Sequence, residues 1–208
     1  MLSCKICGIS DPQTLNYIIN HIVPPKFVGF ICNYPRSKRN INFENLKKLI
    51  SIYKKNIFFV AVLVKPNQNF IEKIKNLNFD YYQLYDVSPK KTKLIKEKYK
   101  KKIISALTIK NKKDVEKYKD YNLISDIILF DSKGYEKSLG FNHELLNDVP
   151  NKITKMLAGN IQYDDKLDKY SKITDIIDIS GSLETSGEKD ISKIDIFLEN
   201  ISRTKNEN

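Results

Sequence analysis

Eight short runs rich in β-branched and aromatic residues alternate with eight amphipathic runs along the whole chain. The first set is apolar throughout, as is typical of parallel strands that are covered on both faces. These strand candidates are "CKICGI", "FVGFIC", "IFFVAVLV", "YYQLY", "IISALTI", "DIILFD", "TKMLAG" and "IIDISG". The helix candidates that follow them in turn are "DPQTLNYIINHI", "NFENLKKLISIY", "NQNFIEKIKNL", "SPKKTKLIKEKYK", "KKDVEKYKDY", "NHELLNDV", "YDDKLDKYS" and "SKIDIFLENI".

This alternation predicts an α/β fold, the (β/α)8 TIM barrel. Eight β-α repeats with no segment left over are what a closed barrel needs, whereas an open doubly wound sheet usually has fewer. We expect one domain over residues 1–202 and a frayed tail at 203–208, because "SRTKNEN" carries no core residues. Asp11, Asn42 and Ser88 are expected to cap the helices that follow them.

The net charge of +11, from 36 Lys and Arg against 25 Asp and Glu, raises the possibility of a polyanionic partner. The excess is mostly Lys, however, and it is scattered in pieces such as "KEKYKKK" and "NKKDVEKYKD", where acidic residues are interleaved. The chain has no zinc-finger spacing, RNA-recognition motif or basic zipper. We therefore expect no nucleic-acid partner.

The sequence gives no sign of a membrane partner or of export. No apolar run approaches the roughly 18 to 20 residues of a membrane span, and the N-terminus lacks the pattern of a signal peptide. Three cysteines, an odd number, do not form a disulfide framework in a chain of this length. We expect a soluble, cytoplasmic protein in a reducing compartment.

Cys4 and Cys7 have the C-x-x-C spacing of a metal clip or a redox pair. If "CKICGI" is a strand, however, residues three apart point to opposite faces, so the two thiols can neither chelate one metal nor close a disulfide. Cys7 directly precedes Gly8 at the carboxyl end of the first strand, which is the end where barrels build active sites. Position alone leaves function and packing equally open for Cys7, while Cys32 is taken as a packing residue.

Six stretches then resemble the motifs of one family, in the family's order. They are "KICGIS", "VGFICNYPRSKRNI", "YQLY", "ILFD", "LAGN" and "IDISGSLETSGEKD". They are similar to K-I-C-G-[IL]-[TS], G-F-x-F-x-x-x-S-x-R-x-[IV], V-Q-L-H, L-L-D, L-[AS]-G-G and V-D-V-S-S-G-V-E-x-x-P-G-x-K-D of the phosphoribosylanthranilate isomerase family of tryptophan biosynthesis. The resemblance covers essentially the whole chain.

The resemblance implies an Amadori rearrangement, in which a phosphoribosyl aminoaldose becomes an aminoketose without a metal or a cofactor. A general acid opens the ribose ring, and a base removes the C2 proton of the resulting Schiff base. The family pattern assigns the base to Cys7 and the acid to Asp131, which ends "ILFD". The residues alone instead favour Asp131 as a cap for the turn that "DSKG" begins.

The resemblance also implies which residues hold the two anionic ends of a small phosphorylated substrate. Arg39 matches the family arginine that binds the anthranilate carboxylate, and its neighbours Arg36 and Lys38 could be solvated charges. The loops after strands seven and eight commonly bind phosphate in this fold, although ordinary turns are the alternative there. The remaining assignments are Gly159, Asn160, Gly181 and Ser182 for phosphate, and Gln83 and Asp178 as weaker pocket residues.

The chain departs from the family pattern in three respects. The glycine-rich loop after strand six is replaced by "GYEKSLGF", which keeps Gly134 and Gly140. "SGSLE" and "LAGN" differ from the family's phosphate motifs, and Tyr85 replaces the histidine of V-Q-L-H. Two rival functions are considered. The altered loop favours a non-catalytic relative that binds a phosphorylated ligand or partner, and the basic charge raises the alternative of a nucleic-acid-binding protein. The expected oligomeric state is a monomer or a homodimer.

Overall fold

The computed structural model describes residues 2–132 and 140–206. Its eight main strands coincide with the eight strand candidates to within one or two residues at most ends. They are β1 Ser3–Cys7, β2 Phe27–Ile31, β3 Phe58–Val64, β4 Tyr81–Tyr85, β5 Lys102–Thr108, β6 Ile127–Asp131, β7 Lys155–Leu157 and β8 Ile176–Ile179. A small antiparallel hairpin, β9 Glu184–Thr185 and β10 Glu188–Lys189, follows them.

The eight strands form a closed barrel in sequential order, so the predicted TIM-barrel fold is confirmed. Every neighbouring pair is parallel, and β8 closes the ring by pairing with β1, where Lys5 lies opposite Asp178. All the carboxyl ends of the strands therefore meet at one mouth. This closure brings residues from the two ends of the chain side by side.

Helices connect the strands around the outside of the barrel. Those before β6 are α1 Pro12–Asn20, α2 Phe43–Ile50, α3 Gln68–Ile74, α4 Pro89–Tyr99, α5 Lys112–Glu116 and α6 Tyr118–Tyr121. The later ones are α7 Asp168–Ser171 and α8 Ile191–Asn206. The predicted caps are confirmed, since the side chains of Asp11, Asn42 and Ser88 each accept a hydrogen bond from a backbone N–H in the first turn.

The later helices differ most from the sequence-based expectation. The segment "NHELLNDV" forms only a short 3₁₀ helix over His143–Leu146, and "YDDKLDKYS" is helical only over α7. The last helix, α8, continues to Asn206 where a frayed tail was expected from residue 203. Thr204 is buried there and its hydroxyl donates to the carbonyl of Ile201, so it continues the inner face of the helix.

The core has two layers, which are separated by the barrel wall. Alternate strand residues pack outward against the helices or inward along the barrel axis. At the amino-terminal end of the barrel the rings of Phe27, Phe58 and Tyr81 lie 5.4 to 5.6 Å apart and fill the interior. The opposite end is left open for a site. Among the described residues, no helix has both the length and the apolar character that crossing a membrane requires.

Candidate active site

A cavity of about 660 Å³ opens at the carboxyl ends of the strands. It brings together residues from β1, β4, β6, β8 and the loops after β2, β7 and β8, as expected for a barrel site assembled from several strand ends. Its polar and reactive lining residues are Cys7, Arg36, Ser37, Lys38, Arg39, Tyr85, Asp131, Gly159, Asn160, Gln162, Asp178, Ser180, Gly181, Ser182 and Glu184.

The structure separates the two N-terminal cysteines in the way that strand geometry predicts. Cys4 packs in the outer layer between the barrel and the helices, whereas Cys7 belongs to the inner layer and lines the cavity. Both are free thiols, as is Cys32, which packs in the outer layer and donates to the carbonyl of Phe30. Of the three thiols, Cys7 alone lines this cavity.

Cys7 is 8% exposed, and opposing influences set the ionisation of its thiol. Burial raises its pKa above the usual value, and the nearby Asp178 carboxylate adds to that rise. The buried ammonium of Lys5 and, more weakly, that of Lys189 act in the opposite direction. The free protein therefore holds Cys7 mainly as a thiol at neutral pH.

Asp131 ends β6 and points into the same cavity, with 5% of its surface exposed. Burial raises the pKa of its carboxyl to about 6, although a hydrogen bond from the Tyr85 hydroxyl opposes the rise. That bond is 2.8 Å long and ends on Oδ2, and Gln83 Nε2 donates in turn to the Tyr85 oxygen at 3.2 Å. A carboxyl with this pKa can carry a proton near neutrality and give it up.

Arg39 lies at the mouth with its guanidinium already held by an internal carboxylate. Its Nε and Nη2 donate to the two oxygens of Glu184 at 2.5 and 2.7 Å. Lys189 donates to the same carboxylate at 2.8 Å, so two cations share one anion. Gly8 makes the close approach of Arg39 possible, because its φ is +77° and a Cβ there would lie 2.5 Å from Arg39 Cδ.

The four residues expected to bind phosphate all line one side of the cavity, after β7 and β8. Gly159 has φ +101°, and a Cβ there would lie 2.8 Å from Ser132 Oγ, so a side chain would strain this turn. Ser182 carries a buried hydroxyl for which the described residues supply no hydrogen-bond partner. Backbone N–H groups beside an unpartnered hydroxyl suit an anion with several acceptor oxygens.

The two weaker candidates have different locations. Asp178 lines the cavity and accepts from Lys5 Nζ with both oxygens at 2.8 Å. Gln83 is fully buried and, among the described residues, contacts the cavity lining through its hydrogen bond to Tyr85. Arg36 and Lys38 line the cavity beside Arg39. Most of the altered loop after β6, including Gly134, lies outside the described residues.

Comparison with known proteins identifies the family. A family model described as "N-(5'phosphoribosyl)anthranilate (PRA) isomerase" matches residues 4–200. The chain belongs to the phosphoribosylanthranilate isomerase family. It is 30% identical over 207 residues to the N-(5'-phosphoribosyl)anthranilate isomerase of Thermoanaerobacter pseudethanolicus, covering 97% of this chain and 98% of that one. The enzyme of Clostridium acetobutylicum is 29% identical over 219 residues, covering 99% of this chain and all of that one.

Solved structures of the family share the fold. The phosphoribosyl anthranilate isomerase from Thermotoga maritima superposes with a TM-score of 0.85 at 23% identity, covering 98% of this chain and all of that one. A family structure in complex with reduced 1-(o-carboxyphenylamino)-1-deoxyribulose 5-phosphate gives 0.84 at 22% identity, with the same coverage. At these identities the likeness supports the barrel architecture.

In this member of the phosphoribosylanthranilate isomerase family, the sequence analysis predicted no role for three charged residues at the site. Lys5, Glu184 and Lys189 occur within the quoted motifs, yet none was given a role. Lys5 had a detectable signal: it is a lysine inside an apolar strand, two residues from Cys7 and therefore on the same face. Glu184 and Lys189 depend on a hairpin that no periodicity predicted.

Proposed function

We propose that this barrel catalyses the reaction of its family, the isomerisation of N-(5-phosphoribosyl)anthranilate to 1-(2-carboxyphenylamino)-1-deoxyribulose 5-phosphate, with Cys7 as the base and Asp131 as the acid. The observation that carries the proposal is that Cys7 and Asp131 line one cavity from separate strands, while their environments move both pKa values. Perturbed titratable groups that share a cleft are typical of acid–base sites.

Asp131 acts first, as the general acid. It delivers its proton to the ring oxygen of the phosphoribosyl group, the bond from that oxygen to C1 breaks, and a Schiff base forms between C1 and the anthranilate nitrogen. The hydrogen bond from Tyr85 fixes the orientation of the Asp131 carboxyl and stabilises the carboxylate that remains.

Cys7 then removes the C2 proton of the Schiff base as a thiolate. The electron pair of the C–H bond forms the C1–C2 double bond of an enolamine, and tautomerisation of this species gives the ketone. Lys5 and Lys189 favour the thiolate that this step uses. The same active state holds one proton on Asp131 and none on Cys7, so the pair carries one proton in all.

The substrate carries an anionic group at each end, and the mouth of the barrel offers a suitable binding group for each. A guanidinium fork suits the anthranilate carboxylate, and the turn at Gly159 and Asn160, with Gly181 and Ser182, suits the phosphate. The bond between Arg39 and Glu184 keeps the guanidinium extended over the cavity, with Nη2 3.4 Å from the place where a Cβ on Gly181 would lie.

The proposal is tested by supplying the chain to a tryptophan auxotroph that lacks this isomerase, and by assaying purified protein on phosphoribosylanthranilate. We expect growth and turnover from the wild-type chain and neither from Cys7→Ser. A folded wild-type protein that binds the reduced product analogue but does not turn over substrate would instead support the non-catalytic relative.

We further propose that the enzyme is cytoplasmic and that it is a monomer or a homodimer. Light scattering distinguishes the two oligomeric states.

A further inference from the structure

Lys5 is a fully buried lysine on the inner face of β1. Its ammonium lies 2.8 Å from both oxygens of Asp178 on the neighbouring strand β8. Burial alone would lower the pKa of Lys5, but the charges of Asp178 and Cys7 outweigh that effect and hold the pKa above its usual value. The pair is therefore a charged one inside the barrel.

A buried ion pair is a poor device for stability, because desolvation of both charges offsets their attraction. Apolar side chains of similar volume would fill the same space at no electrostatic cost. Stability therefore does not explain why a lysine occupies this position. Its closeness to Cys7 explains it better.

Gly29 on β2 shows how close the lysine and the thiol are. A Cβ built on Gly29 would lie 2.9 Å from Cys7 Sγ and 3.1 Å from Lys5 Nζ, so both groups fill the space that a side chain at this position would need. Cys7 and Gly29 are also partners in the β1–β2 register. The thiol and the ammonium therefore lie close together, because they are on the same face of β1 and the glycine on the paired strand has no side chain to separate them.

We propose that Lys5 is a positioning residue that sets the ionisation of Cys7, and that Asp178 limits this effect by neutralising part of the lysine charge. The inference rests on the proposed role of Cys7 as base and adds the element that tunes it. Other charged or titratable groups that interact with Cys7 come from several elements. They are Arg39 after β2, Tyr85 on β4, Lys189 on β10 and the thiol of Cys32.

This arrangement predicts opposite effects for the two partners of one ion pair. Lys5→Met removes the cation and leaves the anion, so the apparent pKa of Cys7 should rise. Asp178→Asn leaves the cation unopposed, so that pKa should fall. An opposite charge within hydrogen-bonding range shifts a pKa by roughly one unit or more, which is about tenfold in the rate of thiolate alkylation at a fixed pH below the pKa. A residue that only supports the fold would not reverse sign with its partner.

The measurement is the rate of alkylation of Cys7 by iodoacetamide as a function of pH, with every variant made in a Cys4→Ala, Cys32→Ala background. This readout needs no substrate, so it remains valid even if the chain has no isomerase activity. Lys155→Met is the matched control, because Lys155 is also a buried strand lysine but donates to the carbonyl of Val149, away from the cavity.

A rise for Lys5→Met, a fall for Asp178→Asn and no change for Lys155→Met are the expected results. Shifts in the same direction for the two partners, no shift in either, or an equal shift in the control would overturn the proposal. Should Lys5→Met fail to fold, the double variant Lys5→Met/Asp178→Asn, which leaves no unpaired buried charge, is compared with Asp178→Asn. A higher alkylation pKa in the double variant supports the role of Lys5, and an equal or lower one contradicts it.

Discussion

At the scale of single residues, Cys7 is the side chain on which the proposed chemistry depends most. Cys7→Ser keeps nearly the same volume, but an alcohol is far less acidic than a thiol, so the base is lost. We expect turnover to disappear while the melting temperature and the affinity for the reduced product analogue stay close to wild type. Cys4→Ser, on the opposite face of the same strand, is the control and should retain turnover.

Substitution of Asp131 distinguishes a catalytic role for this residue from a role as a turn cap. Asp131→Asn keeps the shape and hydrogen-bonding capacity but cannot deliver a proton, so kcat should fall at least about a hundredfold with little change in melting temperature. If Asp131 were only a cap, asparagine would serve nearly as well, and both kcat and stability would stay at the wild-type level. Steady-state kinetics and a thermal melt on this variant decide between the two.

Tyr85 stands where the family has a histidine, and it controls the carboxyl of Asp131 through one hydrogen bond. Tyr85→Phe removes a donor that favours the ionised carboxylate, so the pKa of Asp131 should rise above about 6. A hydrogen bond to a charged group contributes about 1.5 kcal/mol, and one pKa unit corresponds to about 1.4 kcal/mol, so we expect a shift of about one unit.

The acid limb of the kcat/KM profile reports this shift. Tyr81→Phe, on the same strand and inner face but near the closed end of the barrel, is the matched control and should leave the limb in place. An acid limb that stays put in Tyr85→Phe, or that moves equally in the control, would remove Tyr85 from the site.

At the scale of elements, the segment between β2 and α2 positions three cationic side chains at the mouth, and only one is expected to bind the substrate carboxylate. Arg39→Ala should weaken binding of the reduced product analogue by about 2 kcal/mol, because a charge-assisted bond is lost. Arg36→Ala should do much less. An analogue without the carboxylate should bind wild type and Arg39→Ala equally, and a loss that persists with this analogue would show that Arg39 serves another part of the ligand.

The sequence predicted the elements well where apolar residues form continuous runs or helical spacing, and poorly where they do not. The eight strands are continuous apolar runs, and their order alone implies the closed barrel and the position of Cys7 and Asp131 at its mouth. The region of α7 has few apolar residues at helical spacing, so its propensity for helix was not matched by packing. The end of α8 was missed because Thr204, a polar residue, continues the buried face of Ile194, Phe197 and Ile201.

The sequence predicted the residues of the site that lie in recognisable motifs at or after the strand ends, but not the partners that these residues contact. Cys7, Asp131 and Arg39 occur in motifs, whereas the partners that tune them come from distant parts of the chain. Asp178 meets Lys5 because the barrel closes, and Glu184 meets Arg39 because a hairpin folds over the mouth. Such contacts between residues more than 140 positions apart have no local signal in the sequence.

At the scale of the whole molecule, the barrel places two groups with shifted pKa values in one cavity, and we expect this pair to set the pH range of activity. In the productive form Asp131 is protonated and Cys7 is a thiolate, so the pair carries one proton. The form in which Cys7 is a thiol and Asp131 is ionised also carries one proton, so the ratio of the two forms does not depend on pH. The productive fraction is therefore constant between the two pKa values. Below about pH 6 both groups are protonated and the base is lost, and above the raised pKa of Cys7 both are ionised and the acid is lost.

The pH dependence of kcat/KM for phosphoribosylanthranilate in the wild-type protein tests this pairing most directly. The expected profile is a bell, with activity rising through about pH 6, a plateau through neutral pH, and a decline on the alkaline side where the Cys7 thiol ionises. Lys5→Met should move the alkaline limb to higher pH and should move the acid limb less, because the charge of Lys5 is only a minor influence on Asp131. A profile that is flat from pH 5 to the alkaline end, or an acid limb that survives unchanged in the residual activity of Asp131→Asn, would contradict the assignment of Cys7 and Asp131 as the catalytic pair.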